Sequence, residues 1–99
     1  VPGHWLWASY RLLVATMLAY RLDEEQTYRW LWSASELGLG DWVDHDTAEN
    51  LTAIFHKASE NGWVNAVRLA GKLGVSQWER LGQRERSREM KKRIAEMFA

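Results

Sequence analysis

The sequence predicts an all-α domain: a compact bundle of four to five helices around a central apolar N-terminal helix. Three observations carry that prediction. The stretch 5–20, WLWASYRLLVATMLAY, is apolar almost all round when wound as a helix. Capping-box patterns recur at Asp23–Gln26, Asp46–Glu49 and Ser76–Glu79. The only Pro stands at position 2, which leaves the rest of the chain free to be helical.

A chain of 99 residues makes one domain, able to bury roughly 60–70% of its unfolded surface. It begins at Val rather than Met, so it reads as trimmed or excerpted, with a larger parent protein left open. Residues 1–4 are a lead-in to helix one, which ends near Arg21. An apolar helix must be surrounded, and 16 residues with Arg11 in the middle is short for a membrane span of about 20. Other helices of the bundle are therefore expected to surround it.

Asp23 caps helix two, which runs to about Leu37 with a broad apolar arc of Tyr28, Trp30, Leu31, Trp32, Ala34 and Leu37. Gly38-Leu39-Gly40 stops it. The loop 41–46 follows, with Trp42 and Val43 as its anchors. Helix three starts about Asp46 as its cap; Leu51, Ile54, Phe55 and Ala58 follow the helical spacing, and Asn61-Gly62 ends it. Helix four is short, about 65–73, and Gly74 ends it. Ser76 opens helix five. The spacing Ala, three residues, Gly, apolar recurs at Ala34/Gly38/Leu39, Ala58/Gly62/Trp63 and Ala70/Gly74/Val75, and suits a Schellman stop.

On helix five, Trp78 and Leu81 face one way, and Met90, Ile94, Met97 and Phe98 nearly the other. The helix therefore breaks near Gly82, or stays straight and hands the second stripe to another chain. Segment 82–99 reads as a basic C-terminal helix that either projects or docks separately.

Charge sums to zero but is split. Residues 1–60 hold four basic and nine acidic side chains, and residues 61–99 nine basic and four acidic. Such a chain attracts copies of itself or offers its basic end to an anion. The segment Arg80–Arg93 carries seven basic and two acidic residues. Arg84, Arg88, Lys91 and Lys92 share one helical face that suits a phosphate backbone.

Leu69-Ala70-Gly71-Lys72-Leu73-Gly74-Val75-Ser76 resembles the first helix and turn of a helix-turn-helix DNA reader. The resemblance covers these eight residues. It departs at Arg80, where the reading helix of that motif takes an apolar residue. It implies base-edge contacts from Gln77 or Arg80.

Catalysis has little support. Without Cys there is no thiol nucleophile, thiolate metal site or disulfide. No nucleophile elbow or phosphate-gripping glycine loop is present. Asp41, Asp44, His45 and Asp46 offer oxygen ligands without the spacing of a calcium loop. His4, beside Trp5 and Trp7, reads as an exposed imidazole at an aromatic cluster. No catalytic residue, metal or cofactor is therefore expected.

The expected function is a non-catalytic helical binding module for protein–protein interaction or assembly. It rests on seven Trp, the split charge and the stripe Met90, Ile94, Met97, Phe98, since Trp, Tyr, Met and Arg are enriched in interfaces. The partner is another protein or a second copy. The alternative is a nucleic-acid-binding domain, with DNA as partner. Membrane contact through the aromatic N-terminal helix is a weaker third reading, because that half of the chain is acidic. The absence of Cys and of a basic leader before the apolar run points to the cytoplasm.

Overall fold

Five α-helices and one short 3-10 turn make up the chain in a computed structural model that describes residues 2–99, with side chains from residue 4 onward. They are α1 (Pro2–Tyr20), α2 (Glu24–Glu36), α3 (His45–Asn61), α4 (Val64–Arg80) and α5 (Arg84–Met97), with the 3-10 turn at Leu39–Asp41. The architecture is the all-α bundle that capping and periodicity predict. Of the expected lead-in, Val1 lies outside the described residues, and Pro2 already opens the helix, where its missing N–H costs nothing.

Local chemistry sets most boundaries. The Asp23 carboxylate accepts the Gln26 backbone N–H at 3.1 Å and starts α2. The cap of α3 is Asp44, not Asp46: its carboxylate accepts from the Thr47 backbone N–H at 3.0 Å and the Thr47 hydroxyl at 3.1 Å. The helix therefore begins earlier than the capping-box reading placed it. Gly62 is left-handed, and the Trp63 N–H returns to the Ala58 carbonyl at 2.9 Å, closing a Schellman stop with Trp63 buried.

The predicted stop at Gly74 does not exist. Helix α4 runs unbroken from Val64 to Arg80, taking in what the sequence divides between two helices. The stop lies eight residues later, at Gly82. Gly82 has φ +76°, and the Gln83 N–H bonds to the Trp78 carbonyl at 2.8 Å. This break turns the chain back, so α5 docks along α4 and its apolar stripe faces inward. Gly71 and Gly74 make that approach feasible. A Cβ on Gly74 would stand 2.7 Å from Met90 Cε, and one on Gly71 2.8 Å from Ile94 Cδ1. These glycines are contact points rather than stops.

Helix α4 is the better centre of the bundle, since it packs against α2, α3 and α5. Helix α1 lies to one side against α2 and α3. It is not wrapped, as a central helix would be. Its buried face carries Ala8, Leu12, Ala15 and Ala19, three of them the smallest apolar side chain.

Buried polar groups tie the loop 41–44 to the core. Gln77 is 1% exposed; its side chain accepts from the Asp44 N–H at 3.0 Å and donates to the Trp42 carbonyl. Trp78 is buried beside it. Its indole N–H donates to the Thr52 hydroxyl at 2.8 Å, and the Arg86 guanidinium covers its ring at 4.1 Å.

Candidate interaction surface

The outer face of α1 is the most unusual surface of the molecule. Leu6, Trp7, Tyr10, Leu13, Met17 and Tyr20 are each 51–64% exposed. Five of them, at positions 6, 10, 13, 17 and 20, follow the alternating four–three step of a coiled-coil seam. At 3.6 residues per turn they fall within an arc of about 80°. Trp7 flanks that row. It meets Tyr10 edge-on at 6.4 Å, and Tyr10 in turn meets Trp30 of α2 at 6.4 Å.

Charges rim the stripe and do not enter it. On the α2 side the Arg11 guanidinium stands 6.0 Å from the Trp7 ring and donates to the Ser33 hydroxyl at 2.8 Å. Near the C-terminal end the Lys57 ammonium lies 5.1 Å from the Tyr20 ring. On the α3 side a groove of about 370 Å³ runs between Trp5, Ser9 and Leu13 and the polar residues Asp44, Asp46, Thr47, Glu49 and Asn50. The Trp5 indole N–H and the Ser9 hydroxyl are buried there without a hydrogen-bond partner. Trp42, expected as a loop anchor, is exposed but lies 5.6 Å from the Trp5 ring; Val43 is exposed as well.

Sequence reasoning placed the contact stripe at the other end of the chain. Met90 is 3% exposed, and Ile94, Met97 and Phe98 pack partly buried against the core. Phe98 also lies under the Arg68 guanidinium at 4.5 Å. That stripe seats α5 within its own chain, because the break at Gly82 turns it inward. The sequence reading offers the α1 face only as a weaker membrane contact and not as a protein contact, although its four–three step is legible there. A helix apolar almost all round predicts burial on every side, whereas α1 buries its alanine face and leaves the bulky one outside.

Arg84, Arg88, Lys91 and Lys92 are exposed on α5, as their helical spacing requires. The first three, with Glu79 and Ser87, line an open cleft of about 520 Å³ between α4 and α5. Two of them already have partners: Arg88 pairs with Glu85 at 3.3 Å and Lys91 with Glu79 at 2.8 Å. The Lys91 contact holds the Glu79 carboxyl below its ordinary range, first by its hydrogen bond and then by its charge.

The residues assigned to base edges are placed otherwise. Gln77 is buried in the loop clasp, and Arg80 bonds to the carbonyls of Gly40 and Ser76. The helix-turn-helix resemblance fails at its turn, since Leu69–Ser76 lies inside α4 without interruption. Around the acidic loop, Asp44 serves as a cap and His45 meets Trp78 edge-on at 5.4 Å. Among the described residues no three His, Asp or Glu side chains converge as a metal would need, and no helix is long and apolar enough to cross a membrane.

No protein-family model, curated protein or solved structure matches the chain.

Proposed function

We propose that this chain is a non-catalytic helical module for protein–protein interaction or assembly, and that its contact surface is the outer face of α1. One observation carries the reading: α1 is inverted. It turns three alanines and one leucine to the core and leaves two leucines, a methionine, a tryptophan and two tyrosines outside. A helix built only to fill its own bundle would place the bulky side chains inside, where each is worth about 1.5–3 kcal/mol of burial. Aromatic side chains and Met are also what interface centres favour. A cytoplasmic setting fits the absence of cysteine.

Site-specific photo-crosslinking in the cells that make the protein tests this. A photoreactive residue at Tyr10, Leu13 or Met17 is expected to give a discrete protein adduct, and one at Glu89 on α5 none. No adduct at any of the three α1 positions contradicts the reading.

A second reading keeps some support from the exposed cations around the α4–α5 cleft. In it Arg84, Arg88, Lys91 and Lys92 contact nucleic-acid phosphates without base readout. It predicts binding that weakens steeply with salt, and an equal loss for all sequences on charge reversal at Arg84 and Arg88. A duplex titration without binding at low salt overturns it.

A further inference from the structure

We infer that the occupant of the α1 face is a second copy of this chain, laid antiparallel across a two-fold axis near Leu13. The inference rests on the docking reading above and names its partner. The exposed area suits a second copy. The six exposed side chains offer roughly 600 Å², against about 800 Å² that each partner contributes to a stable interface of standard size. A patch of that extent lies at the upper end of what a monomer leaves uncovered. The helices beside the stripe supply the remainder at its rim.

Self-complementarity also suits a second copy. A two-fold contact sets one patch against itself, so any charge in the patch would meet its own like. The row Leu6, Tyr10, Leu13, Met17, Tyr20 contains none. Its spacing is nearly symmetric about Leu13, with neighbours at seven and three residues on one side and four and seven on the other. An antiparallel copy therefore presents the same row in reverse. Leu13, slimmer than the rings of Trp7 and Tyr20, stands at the centre where the helices come closest. The antiparallel sense also sets the positive end of each helix dipole beside the negative end of the other, which the parallel sense does not.

The chain has no cysteine, so single-Cys variants report on this geometry without background. Sedimentation equilibrium of the unaltered chain is expected to give twice the 11.6 kDa monomer mass at micromolar concentration. Under mild oxidation Leu13→Cys is expected to form a covalent dimer. Leu6→Cys and Tyr20→Cys each fail alone, because across the two-fold their copies lie about 21 Å apart along the helix direction. An equimolar mixture of the two cross-links to each other. Circular dichroism of each variant confirms the helical fold, and Met17→Cys with Tyr10→Cys is a second mixed pair if the first fails to fold. A monomer mass up to millimolar concentration overturns self-pairing and leaves docking to the photo-crosslinking result. Cross-linking of Leu6→Cys, Leu13→Cys and Tyr20→Cys each alone means a parallel pair and overturns the arrangement. A dimer that no α1 cysteine cross-links lies elsewhere; it overturns self-pairing on α1 and leaves docking there to the photo-crosslinking result.

Discussion

At the scale of single residues, two glycines do what composition alone does not announce. Gly71 and Gly74 lie inside a helix, where each costs about 1 kcal/mol against Ala. They are retained where α5 comes down on α4. The two sites differ in how they yield. A methyl at Gly74 meets the end of the flexible Met90 side chain, which can turn aside. At Gly71 it meets Ile94 at 2.8 Å and the Phe55 ring at 3.3 Å. Gly71→Ala is therefore expected to lose a net ~1 kcal/mol, overpacking outweighing the propensity gain, while Gly74→Ala stays near neutral. Urea unfolding midpoints check the order, and a stabilised Gly71→Ala would contradict it.

Lys91 and Glu79 give a second residue-level expectation. The Glu79 carboxyl lies lower in the folded chain than in the unfolded one because the Lys91 ammonium bonds to it. Its contribution to stability is thus present above the ordinary carboxylate range and is lost as pH falls through the lowered folded value. An NMR titration should find the Glu79 carboxyl protonating at lower pH than an ordinary carboxylate. In Lys91→Met the difference should vanish; its persistence would place the cause elsewhere.

At the scale of elements, the sequence was legible wherever a local signal acts alone. Asp23 capped its helix as its spacing predicts, and Gly62 ended one with Trp63 folded back. It misled where two local signals competed. Asp44 and Asp46 are both cap residues, and Thr47 decides for Asp44 by giving it two donors. Asp44→Ala should cost about 1 kcal/mol and Asp46→Ala only a few tenths, read as shifts in thermal midpoint. Equal effects would mean that the cap is not fixed at Asp44. Gly74 misled for another reason. A stop and a helix–helix contact both call for Gly, and only the docking of α5 tells them apart. That docking goes with the break at Gly82, the first of the two outcomes the sequence offered; it turns Met90–Phe98 inward and removes the turn from the helix-turn-helix resemblance.

At the scale of the whole molecule, the bundle is as compact as its length requires. Its radius of gyration is 12.3 Å against about 13 Å expected for 100 residues. It is also a slab, with principal extents of 39 × 31 × 17 Å. In this thin body α4 takes the middle, and α1 lies at the side against α2 and α3. An almost wholly apolar helix predicts a central position, yet here it is peripheral. The exposed stripe was visible as a four–three step, but periodicity does not say which of two apolar faces turns inward. Only packing does, and here it selects the alanine face.

On the proposed role, the bulky face of α1 is spare to the fold and free for contact. Urea unfolding of the double variant Leu13→Glu, Met17→Glu tests it most directly, beside the unaltered chain at concentrations where both are monomeric. Stabilities within about 1 kcal/mol are expected, since both side chains are more than half exposed and Glu is as good a helix former as Met. A loss of several kcal/mol, of the kind that follows when a charge is forced into a core, would mean that this face is part of the fold and not a surface for a partner.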